Sequence, residues 1–378
     1  MTNSFELGPI RPPSEAYSLL IRVTMNCPWN RCEFCHTYKG QKFRLRLVEE
    51  VKQDIKVAKT IQDEIKELSL NSGDGGGVKE AAAAVFNNPP NQAYQNVALW
   101  LYAGGECTFL QDANTLIMRT NDLVEVISFL KATLPTIKRV TSYARSKTAA
   151  KKTLEELAEL HRAGLSRVHI GLESGYDPLL QYIDKGVTAD EHIKGGRNIV
   201  ASGISLCEYV VLGLGSKKMW REHAIQTARV LNEINPDFIR VRTLAVNSRM
   251  PLYAEIQNGN FIRATDEEII AEERLLIEHL NCHSNYVSDH VTNLIQEIEG
   301  KLPQDKEKML ASIDRFQSLS SQERANFRVG RRVGIYNHLD DLYDLPKHEA
   351  VEQIIHRLSQ GSNEVSEEKI YALMEGFI

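Results

Sequence analysis

Three cysteines lie within nine residues of one another near the start of this chain of 378 residues. They are Cys27, Cys32 and Cys35, and they make up half of its six cysteines. Side chains on a loop are not tied to one-face periodicity, so three thiolates on one loop can converge on one metal centre. A structural zinc site is closed by four ligands. Three cysteines on an iron–sulfur cubane leave one iron open to a small molecule, so the ligand count favours an iron–sulfur cluster.

Two other interpretations of the three cysteines stay open. They could be part of a zinc site that His36 or a remote cysteine completes, or they could be buried thiols without any ligand. Cys107, Cys207 and Cys282 are isolated, so the sequence does not predict a second cluster. The colour of the anaerobically purified protein separates zinc from iron–sulfur.

The elements before and after these cysteines would position them. The apolar run from Tyr17 to Thr24 predicts a buried strand over about 17–25, with a loop from there to about Gly40. A loop that leaves the carboxyl end of such a strand is where α/β barrels place their active sites. The cysteines are therefore in a position suited to chemistry.

A second group of interest is Gly104-Gly105-Glu106, which follows an apolar run predicted to be the second strand, 97–102. Two glycines allow a ligand to approach the backbone closely, and a carboxylate suits an ammonium group. The tripeptide is common, so its position one strand after the cysteines gives it its weight.

The remaining pattern predicts an α/β protein, because strands alternate with helices along residues 17–246. The predicted strands are 17–25, 97–102, 139–144, 167–172, 205–214 and 238–246. The predicted helices between them are 45–68, 121–134, 153–163, 220–233 and two short ones around 176–200, the second capped by Thr188.

Three further segments complete the predicted organisation. Residues 1–16 are expected to be an irregular lead-in, and residues 71–96, rich in glycine and asparagine, a mobile surface insertion with one short helix. Residues 247–378 are expected to be a mostly helical C-terminal extension, with helices at 266–280, 291–299, 306–316 and 322–329. In this extension a polar group from His283 to Asn293 is interpreted as a loop that caps a helix, with closure of the substrate pocket as the alternative.

Composition indicates a soluble globular protein, with 42% apolar and 25% charged residues. The net charge of −5 and the pI of about 6.2 do not favour a nucleic-acid partner. The sequence shows no membrane-spanning segment and no signal peptide, so a cytoplasmic location with reduced thiols is expected. The basic residues Arg328, Arg331 and Arg332 are interpreted as a solvated helix end, with phosphate or RNA binding as the alternative.

The cysteine loop, with Phe34 just before its last cysteine, resembles the cluster loop of the radical S-adenosylmethionine (radical SAM) superfamily. Gly104-Gly105-Glu106 resembles the superfamily motif that binds the amino group of S-adenosylmethionine. The usual spacing has three residues between the first two cysteines, whereas this chain has four, from Pro28 to Arg31. The block His169 to Gly186 resembles the branch that contains anaerobic coproporphyrinogen dehydrogenase and the Elongator catalytic subunit.

This resemblance implies a (β/α)6 partial TIM barrel and a [4Fe–4S] cluster held by Cys27, Cys32 and Cys35. It implies reductive cleavage of S-adenosylmethionine to a 5′-deoxyadenosyl radical, which takes hydrogen from an unidentified substrate, either a small molecule or a cofactor precursor. A reducing partner such as ferredoxin or flavodoxin would supply the electron. The alternative is a zinc-binding or iron–sulfur electron-transfer protein that does not cleave S-adenosylmethionine.

The resemblance also implies which residues contact the cofactor. These are Gly104, Gly105, Glu106, Arg145, Glu173, Ser174 and Gly213. Arg145 is a candidate for the carboxylate of S-adenosylmethionine, and a surface ion pair is the competing interpretation. Arg240 and Arg242 share one face of the sixth strand. They would meet an anionic substrate or cofactor carboxylate, or else pair with Glu173 or Glu208.

Overall fold

A computed structural model describes residues 3–71, 77–359 and 365–374, and the chain falls into two compact units. The first unit comprises Met1–Asn30, Thr37–Ile170 and Lys194–Leu206. The second comprises Arg31–His36, Gly171–Ile193 and Cys207–Ile378.

The first unit contains parallel strands connected by helices. Its strands are β1 (Leu19–Arg22), β2 (Thr24–Met25), β3 (Arg44–Leu45), β4 (Cys107–Gln111), β5 (Arg139–Ala144) and β6 (Leu165–Glu173), the last of which ends in the second unit. Strands β1, β4, β5 and β6 lie side by side in that order and run parallel. Its helices are α1 (Val48–Asn71), α2 (Val78–Asn87), α3 (Gln92–Tyr102), α4 (Thr120–Thr133), α5 (Ser146–Ala149) and α6 (Leu154–Ala163).

The second unit contains a smaller set of strands and most of the later helices. Its elements are α7 (Asp177–Tyr182), α8 (Ala189–Ala201), β7 (Ser205–Leu212), α9 (Ser216–Ile234), β8 (Phe238–Thr243), α10 (Leu252–Gln257), α11 (Asp266–His279), β9 (Asn285–Val287), β10 (Gly300–Lys301), α12 (Lys306–Ser318), α13 (Ser321–Arg332), α14 (Leu345–Ser359) and α15 (Glu367–Met374). Helix α8 ends and strand β7 begins in the first unit. Strands β7, β8 and β9 run parallel, and β10 is antiparallel to β9.

Local sequence accounts for where several helices begin. Thr153 caps α6 through a reciprocal pair of hydrogen bonds with Glu156, and Thr265 and Ser320 cap α11 and α13 in the same way. The predicted cap at Thr188 is confirmed, since its hydroxyl accepts the amide of Glu191 at 3.2 Å. Such caps satisfy amide groups that have no partner inside the helix.

Two predictions about secondary structure are wrong. Residues 97–102 are not a strand but the end of α3, whose buried residues recur with a helical period: Ala93, Tyr94, Val97, Ala98, Trp100 and Leu101. The short helix predicted within residues 71–96 is confirmed as α2, and α3 begins in the same range. Residues 72–76 lie outside the described residues, and the mobility of the insertion stays a prediction. Residues 291–299 form turns instead of a helix.

The α/β class is confirmed by parallel strands that alternate with helices. The count of six strand–helix repeats in a partial barrel stays a prediction, as do the domain limits at residues 16 and 246. Among the described helices, none is both long enough and apolar enough to cross a membrane.

Candidate active site

The loop that carries Cys27 is fastened by two asparagines in left-handed backbone conformation. Asn26 has a φ of 68° and Asn30 a φ of 50°, a region that asparagine tolerates better than most residues. The side-chain amide of Asn26 donates to the carbonyl of Lys42 at 2.7 Å, and the side-chain amide of Asn30 donates to the carbonyls of Tyr38 and Gln41. The loop therefore closes on itself around the cysteine.

Asp112 anchors this loop from the next strand. The residue is fully buried just after β4, and its carboxylate accepts Arg22 Nε at 2.8 Å and the backbone amide of Asn26 at 3.0 Å. It also accepts a hydrogen bond from the hydroxyl of Tyr38 at 2.8 Å, so residues on both sides of Cys27 in the sequence, Asn26 and Tyr38, bind the same carboxylate. Burial, followed by the charge of Asp112, raises the pKa of Tyr38 well above its usual range, so the phenol remains a donor.

The predicted placement of Gly104-Gly105-Glu106 after the second strand is wrong. The two glycines end α3, with φ values of 103° and 71°, and their amides donate to carbonyls of the last helical turn. Glu106 precedes β4 and pairs with Lys138 at 2.5 Å. Because β1 and β4 are parallel, this tripeptide lies at the amino end of the strands, whereas Cys27 follows the carboxyl end.

Other residues occupy the carboxyl end in its place. Asn114 follows β4, and its side-chain oxygen accepts the backbone amide of Arg145 at 3.0 Å while its amide group donates to Thr148 at 2.8 Å. The guanidinium of Arg145 lies 5.1 Å from the ring centre of Trp29 in the cysteine loop. Cofactor contact by Arg145 stays a prediction, and Asp112 and Asn114 were not predicted, because residues 97–102 were interpreted as the second strand.

The segment that carries Cys32 and Cys35 is held by its backbone within the second unit. The amide of Glu33 donates to the carbonyl of Ile183, and the carbonyl of Glu33 accepts the amide of Leu252, both at 2.9 Å. Phe34 is buried in an apolar cluster with Ile183 and Leu252. The aromatic residue before the last cysteine is thus a packing anchor.

Glu173 ends β6 with a φ of 63° and forms an ion pair with Lys185 at 2.9 Å. The second carboxylate oxygen of Glu173 is buried without a hydrogen-bond partner among the described residues. A β-carbon on Gly171 would lie 2.1 Å from Glu173 Oε1, so glycine is required for this carboxylate to fold back over the strand.

Ser174 is fully buried, and its hydroxyl lies 2.8 Å from Nδ1 of His223. The Nε2 of His223 lies 3.1 Å from the carbonyl of Val211, which can only accept, so Nε2 donates there and Nδ1 accepts from Ser174. The hydroxyl of Ser174 thereby links residue 174 to α9 inside the second unit. This explains why a polar residue is tolerated there without any ligand.

Gly213 has a φ of 80°, and its amide donates to the buried Glu272 at 3.0 Å. Burial raises the pKa of Glu272 to about 8, and burial lowers the pKa of His223, 3.3 Å from it, to about 4. Both groups are therefore neutral over a range of moderately acidic pH. The glycine predicted to pack on a cofactor is also a structural link between β7 and α11.

Neither alternative predicted for pairing Arg240 with a glutamate holds. Arg240 forms an ion pair with Asp289 at 3.2 Å and donates to the hydroxyl of Tyr209 at 3.4 Å. Glu208 is fully buried, burial raises its pKa well above the usual range, and its carboxylate has no hydrogen-bond partner among the described residues. Arg242 is half-buried and has no hydrogen-bond or ion-pair partner within the part of the chain that the structure describes.

The polar loop after β9 supports strand β8 and does not cap a helix. Asn293 accepts the amide of Thr243 at 2.8 Å and donates to the carbonyl of Val241 at 3.0 Å. Arg331 and Arg332 donate to the backbone carbonyls of residues 292–294.

The prediction of a solvated helix end at Arg328, Arg331 and Arg332 is wrong, because all three are buried. Asp266 forms ion pairs with Arg328 and Arg332. Burial alone would raise the pKa of Asp266, but these two guanidinium groups outweigh burial and lower it. The two arginines are therefore engaged inside the protein and are not open to a phosphate or RNA.

None of the six cysteines is in a disulfide, and Cys27, Cys32 and Cys35 are half-buried. Such thiols have the donor chemistry that an iron–sulfur cluster requires. Among the described residues, no group of three or more His, Cys, Asp or Glu side chains is arranged to hold a metal ion. The ligand set therefore rests on cysteine type, spacing and accessibility.

No protein-family model matches this sequence. An uncharacterised protein of Methanocaldococcus jannaschii is 24% identical over 132 residues, which are 35% of this chain and 40% of that protein. This chain therefore spans well under two thirds of that relative.

Solved structures of radical SAM enzymes are among those similar to this chain. The archaeal Elp3 of Methanocaldococcus infernus has a TM-score of 0.44 and 14% identity, covering 62% of this chain and 60% of that one. Coproporphyrinogen III oxidase of Escherichia coli, a radical SAM enzyme, has a TM-score of 0.44 and 13% identity, covering 69% of this chain and 51% of that one.

Proposed function

We propose that this protein is a radical SAM enzyme acting on a small molecule or cofactor precursor. The observation that carries the proposal is the cysteine loop. Three thiols outside any disulfide lie on a segment that begins at the carboxyl end of a parallel strand, the end where α/β barrels place catalytic residues.

In this proposal Cys27, Cys32 and Cys35 hold a [4Fe–4S] cluster. When bound, the cluster supplies the electron for reductive cleavage of S-adenosylmethionine to a 5′-deoxyadenosyl radical that abstracts hydrogen from the substrate. Phe34 and the backbone of Glu33 keep the second and third cysteines in place, and Asp112 does so for the first.

We assign the cofactor contact that was predicted at Gly104-Gly105-Glu106 to residues 112–114 instead, which follow β4. Residues 112–114 lie at the same strand end as Cys27. Arg145, tied by its backbone to Asn114, is the proposed partner of the cofactor carboxylate. Glu173 and Gly213 remain proposed contacts, whereas Ser174 is assigned to packing.

The decisive experiment is anaerobic reconstitution followed by iron, sulfide and zinc analysis and an assay for 5′-deoxyadenosine with and without cell-extract metabolites. About four irons and four sulfides per chain are expected. Both should be lost in the triple variant in which Cys27, Cys32 and Cys35 are replaced with alanine. The matched control replaces Cys107, Cys207 and Cys282 with alanine and should keep the iron. Full iron in the first variant, or zinc in place of iron in the wild type, would refute the proposal.

The contact at Arg145 is tested by S-adenosylmethionine calorimetry on the reconstituted protein. Arg145→Gln should weaken binding about ten- to a hundredfold, as for the loss of a charge-assisted hydrogen bond. Glu106→Gln, which changes an exposed carboxylate at the other strand end, should leave binding unchanged. If Glu106→Gln weakens binding and Arg145→Gln does not, the cofactor contacts Gly104-Gly105-Glu106 and not Arg145.

A further inference from the structure

Strand β8 presents two arginines on one face, and the loop after β9 adds two more functional groups beside them. Arg240 and Arg242 are two residues apart and so share a face. Asp289 lies 3.2 Å from Arg240. His290 follows Asp289 in this loop. Its Nδ1 lies 2.7 Å from the hydroxyl of Thr292, which donates to the carbonyl of Thr243 at the end of β8, so the imidazole lies beside this strand.

This arrangement is fixed by its surroundings. Asn293 bonds to the backbone of β8 at Thr243 and Val241. Arg331 of α13 in turn donates to the carbonyl of Asn293 at 3.0 Å. The loop that carries Asp289 and His290 is thereby held against the strand that carries the arginines.

The group has a surplus of positive charge and unused donors. Asp289 offsets one arginine, and Arg242 has no ion-pair or hydrogen-bond partner among the described residues. Nδ1 of His290 is engaged by Thr292, whose hydroxyl lies 2.7 Å away and whose amide lies 3.3 Å away, whereas Nε2 has no hydrogen-bond partner in the part of the chain described. The Nε of Arg240 is buried and likewise lacks a partner among those residues.

The site is open to solvent on one side, because the Asp289 side chain is 40% exposed while that of Arg240 is 12% exposed. A half-buried guanidinium without a partner is costly unless an anion completes it. We propose that Arg240 and Arg242, beside His290, form a subsite for an anionic group, a carboxylate or a phosphate, of the substrate. Assignment of the anion to the substrate rests on the proposed function, whereas anion binding itself does not.

Asp289 gives the proposal a directional test, because its carboxylate competes with an incoming anion for Arg240. Malonate and inorganic phosphate are titrated into the purified full chain by calorimetry, without cluster or reductant. Arg242→Gln should weaken binding of the preferred probe about ten- to a hundredfold. Asp289→Asn should tighten it several-fold. The matched control is Arg229→Gln on α9, an exposed arginine paired with Glu233 at 2.9 Å, which should change nothing.

Arg242→Lys keeps the charge and should retain part of the affinity, which separates lost binding from misfolding. Absence of binding of both probes to the wild type would overturn the proposal, and so would an Asp289→Asn variant that binds no tighter. A further arm measures S-adenosylmethionine binding to the reconstituted protein. If Arg242→Gln weakens that binding but not binding of malonate or phosphate, the arginine serves the cofactor and the substrate subsite is refuted. None of these variants should change the iron content, so failure here is distinct from failure of the proposed function.

Discussion

Replacing Asp112 with asparagine should loosen the cysteine loop more than any other single polar change at this site. The wild-type carboxylate accepts Arg22 through Nε at 2.8 Å and Nη2 at 2.7 Å, together with the amide of Asn26 and the hydroxyl of Tyr38. Breaking a buried ion pair by neutralising one partner costs roughly 3–5 kcal/mol. The lower end is expected, because Arg22 keeps a second ion pair with Glu6 at 3.1 Å.

A loss of about 3 kcal/mol corresponds to roughly a hundredfold greater population of the open loop. Hydrogen exchange measured by mass spectrometry on peptides within residues 23–42 reports this opening directly. Tyr38→Phe removes one hydrogen bond to a charged group and should cost about 1.5–3 kcal/mol. Glu6→Gln changes a side chain that is 43% exposed and should cost under about 1 kcal/mol.

The reasoning is refuted if Asp112→Asn exchanges no faster than Glu6→Gln in this loop. It is also refuted if exchange rises evenly across the whole first unit, because Asp112 would then support the fold in general and not the loop.

Two further predictions concern the second unit. Because the pKa of Glu272 is raised to about 8 in the folded protein, its stabilising contribution is full below its unfolded pKa and is lost as pH rises toward 8. Denaturant unfolding from pH 5 to pH 8 should therefore show a steeper loss of stability in wild type than in Glu272→Gln, and parallel curves would contradict this. Gly171→Ala would place its β-carbon 2.1 Å from Glu173 Oε1 and 3.0 Å from Lys185 Nζ, and should lower stability by about 1–3 kcal/mol. An unchanged melting temperature would show that Glu173 can move aside without cost.

Much of the fold could be predicted from local sequence, and the main error of that prediction, at residues 97–102, also has a local cause. The strand at Arg139–Ala144 and the cap at Thr188 were predictable because alternation and side-chain capping are encoded within a few residues. The six apolar residues 97–102 suit a buried strand or a helix equally well by periodicity alone. The deciding signals were Asn91, whose side chain accepts two amides at the start of α3, and the glycines that end it.

The failure to predict Asp112 and Asn114 follows from that one error. Once 97–102 is a helix, the next apolar run is β4, and the polar residues at its carboxyl end are Asp112 and Asn114. The partners of Arg332 were not predictable from local pattern, because Asp266 lies 66 positions away. A basic residue near a helix end is usually solvated, and only tertiary structure brings this one to a buried carboxylate.

The arginines of α13 also bear on the order in which the chain can fold during synthesis. The carbonyls of Thr292 and Asn293 find their donors in Arg332 and Arg331, 40 and 38 positions later. At a synthesis rate of about 5–20 residues per second, those donors emerge roughly 2–8 seconds after the loop they hold. Until then the segment after β9 lacks the groups that define its shape. A ribosome that stalls between residues 302 and 331 would therefore present an unfinished segment to chaperones and proteases, although every strand of the described residues has already been made.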